Sequence, residues 1–280
     1  MLSGLDIFSL AAIVFLGVPH GALDYVLISN MGNKIAYTTL ITVFLYSIIT
    51  LLAIIFWFLY PTLALFLFLA ASTIHFGIAN SLSIDLSATR SKLVMLASTI
   101  AQGGFITIYL PFGHWETVSG LFSVLGSDSD FIWLCLQAGF YAWIASVGIL
   151  LVYLCSTKDI KGLFCLLVAG SIVFTFPPLF SFALYFCCLH SFIHYRRVMI
   201  SQLGSSAFPP MSFIFLTVLA WSLMIIVGFG AGHNDFYKLA DEIQNALVRG
   251  VFISLFALTV PHMVIVDLII PKYKNLVLVR

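Results

Sequence analysis

The sequence predicts an all-α fold, a polytopic transmembrane helical bundle of about nine spans, with eight as the alternative count. Hydrophobic residues make up 62% of the 280 residues and charged residues only 8%, about a third of the roughly 25% found in soluble domains. The mean hydropathy is +1.13. Long stretches also lack any charge, which favours lipid as the surrounding medium, because each charge buried there costs several kcal/mol.

Charges and prolines mark the limits of the predicted helices. No charged residue occurs from 35 to 84, a stretch long enough for two helices of about 20 residues each, and Pro61 divides it. The stretch 162–195 is also uncharged, and Pro177–Pro178 breaks it because proline interrupts a helix. The nine predicted helices cover about 6–28, 36–59, 61–81, 92–112, 131–155, 161–176, 178–199, 211–231 and 249–270.

The basic residues predict that the N-terminus lies outside. With nine spans in that orientation, ten of the twelve Lys and Arg residues fall on the cytoplasmic side, as the positive-inside rule requires. Merging the sixth and seventh helices would move Arg196 and Arg197 outside, which favours nine spans over eight. The ten cytoplasmic basic residues are Lys34, Arg90, Lys92, Lys158, Lys161, Arg196, Arg197, Lys272, Lys274 and Arg280.

The whole chain, 1–280, is predicted to be a single integral-membrane domain, multi-pass in the cell (inner) membrane. The net charge of +1 provides no field that would attract nucleic acid. Nucleic acid is therefore excluded as a partner, and membrane lipid is expected instead. The five cysteines form no Cys-x-x-Cys pair, which argues against a disulfide framework or a zinc ribbon.

Five of the seven histidines fall inside predicted helices, at one common depth. Counted at 1.5 Å per residue, all five lie roughly 8–14 Å from the inner ends of their helices. Histidines from four distant segments therefore share one layer of the membrane. They are His20 in the first helix, His75 in the third, His190 and His194 in the seventh, and His262 in the ninth.

Such a group of histidines points to a metal ion. A single intramembrane histidine usually hydrogen-bonds a neighbouring helix, but neutral imidazoles grouped in a dry interior satisfy one another poorly without a cation. His190 and His194 are four residues apart, so both rings lie on one helix face and can reach one ion. No Glu lies between them, which excludes the His-Glu-x-x-His protease arrangement. Imidazole ligands suit Zn, Cu, Fe or Ni, so the residues leave the metal open.

Two acidic residues lie near these histidines in the sequence. Asp24 comes one helical turn after His20, and Asp267 comes five residues after His262. An intramembrane carboxylate is a functional candidate. Either one could accept the proton on the outer ring nitrogen of a ligand histidine and so fix that ring. The alternative for both is an ion pair with a lysine at the membrane interface.

Four segments together resemble the Brp/Blh family, which comprises bacterial and archaeal membrane β-carotene 15,15′-dioxygenases. The resemblance extends over essentially the whole chain in length, order and helix layout, and its most specific part is Pro-His-Gly-Ala-x-Asp. The four segments are Gly17-Val18-Pro19-His20-Gly21-Ala22-Leu23-Asp24, His75-Phe76-Gly77, His190-Ser-Phe-Ile-His194-Tyr195 and Pro261-His262-Met263.

The resemblance implies an enzyme that splits the central double bond of β-carotene with O₂ and gives two molecules of all-trans-retinal. It implies Fe(2+) as the cofactor, and a retinal-binding rhodopsin is a downstream partner that would use the product. His262 lies beyond the family's ligand set, so His262 and Asp24 are expected to stand behind the ligands or to line the cavity. The implied iron ligands are His20, His75, His190 and His194.

β-Carotene is a rigid apolar rod dissolved in lipid, so its enzyme should hold it in a tunnel lined by apolar and aromatic side chains. The chain supplies 27 Phe, 11 Tyr and 5 Trp. The tunnel candidates near the level of the histidines are Tyr25, Phe76, Tyr185, Phe186, Phe192 and Tyr195.

A transporter for a metal, or one coupled to protons, is the alternative from another class, since buried His and Asp serve transport equally well. It would show internal repeats with helices interrupted at paired positions, and the sequence has only the break at Pro177–Pro178. A haem or electron-transfer subunit is the third hypothesis. It would need histidines paired across two helices and gives no role to a cluster drawn from four.

Overall fold

A computed structural model describes residues 2–25, 36–80, 91–202, 211–230 and 239–269. Within these ranges the regular elements are all helices, and eight of them are long and apolar enough to cross a membrane. The predicted all-α, polytopic bundle is confirmed. Some predicted helix ends, at residues 26–28, 81, 231 and 270, lie outside the described residues.

The described helices are numbered α1 to α10 in chain order. All of them except α5 and α7 have the length of a membrane span. They are α1 (Gly4–Tyr25), α2 (Ala36–Leu59), α3 (Pro61–Asn80), α4 (Lys92–Gly113), α5 (Trp115–Val124), α6 (Ser129–Thr157), α7 (Ile160–Thr175), α8 (178–202), α9 (Met211–Gly230) and α10 (239–269).

Helix α7, the predicted sixth helix, is separate from α6 but short. α6 ends at Thr157, and the next residue, Lys158, adopts a left-handed φ of 57°. The Asp159 carboxylate then accepts the Gly162 N–H at 2.8 Å and caps the start of α7. With 16 residues, α7 is about 24 Å long, less than the roughly 30 Å of the hydrocarbon layer. The count of nine therefore rests on the charge pattern, and the outer position of the N-terminus stays a prediction.

The prediction was wrong about the start of the last helix. α10 begins at Leu239, ten residues before the predicted start at 249. Asp241 and Glu242 lie in its first turn, where acidic residues complement the positive end of the helix dipole. Glu242 also pairs with Arg249 two turns later, at 3.3 Å. Charges limit the part of a helix that spans lipid, but they do not limit the helix itself.

The chain divides into two compact units, residues 1–60 with 186–280, and residues 61–185. In the first unit α9 packs closely on α10 because glycines face the contact. A Cβ added to Gly228 would lie 2.3 Å from the Ala246 carbonyl oxygen, and one added to Gly250 would lie 2.4 Å from that of Met224. Neither position has room for a side chain, as is typical of close contacts between membrane helices.

In the second unit, α3 and α4 cross in the same way. A Cβ added to Gly77 would lie 2.0 Å from the Thr99 carbonyl oxygen, and one added to Gly103 would lie 1.8 Å from that of Thr73. A hydrogen bond between the hydroxyls of Thr73 and Thr107, at 2.6 Å, lies in the same contact. Glycine packing and a buried hydrogen bond therefore hold α3 against α4.

We expect Thr107→Val to lower the free energy of unfolding by about 0.6 kcal/mol, the average for interhelical hydrogen bonds in a membrane protein. Valine keeps the shape of the side chain and removes the hydroxyl. Thermal denaturation in detergent measures the change. The matched control is Thr99→Val, because the Thr99 hydroxyl donates to Met95 within its own helix. If both variants lose the same free energy of unfolding, the hydrogen bond between the two helices does not contribute to stability.

Helix α1 departs from regular α-helix before it reaches His20, and neighbouring side chains bond the carbonyls of this part. The segment Ile13–Gly17 is π-helical. The Cys187 thiol donates to the Ala12 carbonyl at 3.4 Å, and the Trp221 indole N–H donates to the Val14 carbonyl at 2.9 Å. Such partners are needed in lipid, where an unsatisfied backbone group costs several kcal/mol. α8 and α9 therefore hold the irregular part of α1 in place.

Irregular helix also accompanies the histidines of α8 and α10. His190 lies in a π-helical segment, Leu184–Ser191, and His262 lies two residues before another, Val264–Ile269. π-Helical segments are rare and frequently occur at functional sites. The first unit thus combines local distortion with polar side chains at the level of the histidines.

Candidate metal centre

Three histidines from three helices of the first unit converge. His20 of α1, His190 of α8 and His262 of α10 each offer a ring nitrogen, and these nitrogens all lie within 4.8 Å of one another. Two nitrogens bound to one ion at 2.0–2.1 Å are at most about 4.2 Å apart. Shifts of less than about 1 Å would therefore let the three nitrogens bind one cation, and the donor set fits a transition metal.

His20 is held by the distorted backbone around it. It lies in a 3₁₀-helical segment, Val18–Ala22, and its Nδ1 donates to the Gly17 carbonyl at 2.5 Å. The Ser191 hydroxyl lies 3.1 Å from the same nitrogen. A carbonyl only accepts hydrogen bonds, so Nδ1 carries the proton. Nε2 is therefore the His20 nitrogen suited to bind a metal.

His262 is held by Asp24, the acidic residue that follows His20. Its Nδ1 lies 2.9 Å from Asp24 Oδ1 and 2.8 Å from Oδ2. Both residues are buried, with exposed fractions of 4% for His262 and 2% for Asp24 over the whole residue. A carboxylate of this kind commonly orients a metal-binding histidine. Asp24 thus makes the kind of contact predicted for it, but with a histidine of another helix.

His194 lies beside the triad. Its ring centroid is 5.7 Å from that of His20 and 5.3 Å from that of His262. His190, on the same helix as His194, also contacts His20, with ring centroids 5.2 Å apart. The two histidines of the His-x-x-x-His pair therefore both approach His20, and the binding of one ion by both stays a prediction.

Phe186, a tunnel candidate, is part of the same cluster. Its ring stacks on His190 at 5.9 Å and 12° and meets His20 edge-on at 5.3 Å. A Cβ added to Gly17 would lie 2.4 Å from the Phe186 ring, so the absence of a side chain at residue 17 lets α1 approach α8. An apolar ring thereby covers two of the histidines.

His75 belongs to the second unit, on α3, where its side chain is buried with an exposed fraction of 3%. Beside it, Phe76 is also buried and contacts Tyr185 edge-on, with ring centroids 5.3 Å apart. These two tunnel candidates thus touch one another. The place of His75 among the metal ligands stays a prediction.

The other three tunnel candidates are less enclosed. Tyr25 is half-buried, and Tyr195 packs against the buried side chains of Leu23 and Val198. Phe192 is 58% exposed, on the surface that lipid would cover. Their role as tunnel residues stays a prediction.

Sequence reasoning missed two residues that contact the cluster. Tyr46 of α2 donates to Asp24 Oδ2 at 3.2 Å, and the Ser191 hydroxyl lies beside His20. Tyr46 is one of 11 tyrosines and lies in an uncharged helix without any distinguishing motif. Ser191 directly follows His190, and this position is the only feature of the sequence that points to Ser191 as a residue of the site.

A family model for β-carotene 15,15′-dioxygenase matches residues 11–270. The chain belongs to this family. A β-carotene 15,15′-dioxygenase from uncultured marine bacterium 66A03 is similar to it, with 31% identity over 282 residues that cover 99% of this chain and 98% of the relative. No solved structure matches the chain.

The family match includes all five membrane histidines, since residues 11–270 extend from before His20 to beyond His262. The predicted family is thereby confirmed, and with it, at the level of the family, the prediction of a carotenoid-cleaving dioxygenase. The eight span-length helices agree with a multi-pass membrane protein. The buried triad, which could hold a metal ion, therefore lies in a member of a dioxygenase family.

Proposed function

We propose that this enzyme splits β-carotene at its central 15,15′ double bond with O₂ and releases two molecules of all-trans-retinal, with Fe(2+) as its cofactor. The observation that carries the proposal is the buried imidazole triad of His20, His190 and His262, found in a member of this family. The reaction balances, because each carbon of the broken double bond gains one atom of the O₂ molecule and becomes an aldehyde carbon.

Four histidines would hold the iron: His20, His75, His190 and His194. Their neutral imidazole nitrogens suit iron, and the bound ion would supply the binding and activation of O₂. His20 is already fixed in one tautomer by the Gly17 carbonyl. This pre-set orientation means that little conformational freedom is lost when the ligand nitrogen is used.

The aromatic side chains around the histidines would hold the polyene and exclude water. Phe186 covers His20 and His190, and Phe76 with Tyr185 forms a second buried aromatic pair. A pocket lined by such rings binds a rigid apolar rod through its shape and apolar surface. It would also fix the central double bond at one distance from the iron, and such positioning is a major part of catalysis.

The substrate and product set the location. β-Carotene is dissolved in the bilayer, so we place the enzyme in the inner membrane, where substrate enters from lipid and retinal leaves to a retinal-binding rhodopsin. The transporter hypothesis accounts for buried His and Asp equally well, but membership in an oxygenase family favours catalysis.

Expression in bacteria that accumulate β-carotene tests the proposal. We expect the orange colour to fade and all-trans-retinal to appear in extracts, with about two molecules formed per β-carotene lost. The purified protein should contain about one iron per chain. Unchanged carotenoid beside a folded, iron-loaded protein would refute the cleavage. Unequal apocarotenal fragments in place of retinal would refute the central position.

A further inference from the structure

His262 is tied to Asp24 by a buried contact that engages both carboxylate oxygens. The two Nδ1–oxygen distances, 2.9 and 2.8 Å, place the ring nitrogen between both carboxylate oxygens. The contact joins α10 to α1, residues 238 positions apart in the chain. It is also buried, with side-chain exposed fractions of 5% and 3%. A buried hydrogen bond of this kind is stronger than an exposed one, because water does not compete for its donor and acceptor.

Tyr46 completes a chain of hydrogen bonds behind His262. Its hydroxyl lies 3.2 Å from Asp24 Oδ2 and 3.3 Å from the Leu258 carbonyl oxygen. Leu258 precedes His262 by one helical turn on α10. The Tyr46 hydroxyl of α2 can therefore donate its one proton either to Asp24 or to the backbone that carries His262.

The protonation of His262 follows from these partners. An ionised carboxylate only accepts hydrogen bonds, so Nδ1 carries a proton and Nε2 is the nitrogen left to bind a metal. The His262 ring centroid is 5.3 Å from that of His20 and 5.3 Å from that of His194. Its ligand nitrogen lies within 4.8 Å of those of His20 and His190. Nε2 is thus the atom that His262 presents to its neighbours.

The charges support a cation at this place. A buried carboxylate is costly in a low-dielectric interior unless positive charge lies near it. A metal ion bound to the far side of the imidazole would be attracted by Asp24 through the ring. The same arrangement of carboxylate, histidine and metal raises the basicity of the ligand in known metal sites.

We propose that His262 is itself a ligand of the iron, in addition to the four histidines named above, and that Asp24 and Tyr46 are the residues that position it. The proposal rests on the proposed function, because it assumes that the cluster binds iron. It alters the role expected for His262 from the family resemblance. Asp24 keeps the supporting role expected for it, now toward His262.

The variant His262→Asn separates a ligand from a structural residue. The asparagine amide N–H can replace Nδ1–H as the donor to Asp24, but asparagine has no counterpart of Nε2. We expect His262→Asn to fold, to bind Fe(2+) at least about 100-fold more weakly, and to show one imidazole fewer around the metal in X-ray absorption spectra. Asp24→Asn should keep the number of imidazoles and weaken metal binding about 10–100-fold.

Two further variants complete the test. Tyr46→Phe should weaken metal binding by less than about tenfold, because it removes a partner of Asp24 and not of the ligand. The control is His114→Asn, since His114 lies in the second unit and bonds the Val173 carbonyl at 3.1 Å. It should leave metal affinity and spectrum unchanged.

The possible failures are distinguishable. If wild-type protein binds no iron, the proposed function fails and this inference fails with it. If wild-type protein binds iron and His262→Asn binds it equally well with the same number of imidazoles, only this inference fails. If His262→Asn does not fold, Asp24→Asn decides, because unchanged metal affinity in that variant would overturn the role of the Asp24–His262 pair.

Discussion

Replacing His190 with alanine is expected to reduce the formation of retinal at least about 100-fold and to lower the iron content of the purified protein. His190 is one of the three histidines whose ring nitrogens converge, and its ring is stacked under Phe186. Loss of a residue that merely orients a ligand typically costs 10–100-fold, so loss of a ligand should cost at least as much. Retinal is measured by chromatography and iron by atomic spectroscopy.

The matched control for this experiment is Leu189→Ala. Leu189 lies in the same π-helical segment, and it is 38% exposed whereas His190 is 5% exposed, so its truncation removes less packing than truncation of a buried residue. Retinal formation and iron content should both stay near wild type. An iron-loaded His190→Ala protein with wild-type activity would remove His190 from the metal site.

Gly17→Ala is expected to destabilise the protein and to disturb the metal site together. The new Cβ would lie 2.4 Å from the Phe186 ring, which contacts both His20 and His190. Overpacking of this kind costs about 1–3 kcal/mol. Since Phe186 must move, the two histidines should lose their alignment, and iron affinity should fall about 10–100-fold. Thermal denaturation and metal titration in detergent measure the two effects.

Gly21→Ala is the control, in the same helix and four residues away. A Cβ at Gly21 would meet nothing within 4 Å, so we expect iron affinity to be unchanged. Stability should stay the same or rise by about 0.4–1 kcal/mol, because alanine restricts the unfolded chain. If both glycine variants behave alike, close approach at Gly17 is not what aligns the histidines.

The number and type of the helices could be predicted because hydrophobic composition acts over whole segments. A stretch such as 36–59 must be helical in lipid, since only helices satisfy their own backbone there. The positions of the helix ends could be predicted less accurately. Residues 239–248 carry charges that favour a loop in a span-based prediction, yet Asp241 and Glu242 stabilise a helix start.

The histidines of the site could be recognised because a polar residue in lipid requires a partner. The contacts that each histidine makes could not be predicted, because they depend on local helix geometry. An α-helix would place Asp24 on the face of His20. The chain instead forms a 3₁₀ turn at Val18–Ala22, with three residues per turn rather than 3.6. In the folded chain Asp24 bonds His262, a partner that regular helical spacing does not predict.

The contact between Asp24 and His262 also determines when the site can form during biosynthesis. Asp24 lies in α1, which leaves the ribosome before α10, whereas His262 lies near the end of α10. The ribosome must therefore translate at least 262 codons before the two side chains can meet. Until then Asp24 can bond Tyr46 but not His262, and the nascent protein cannot complete the triad of His20, His190 and His262.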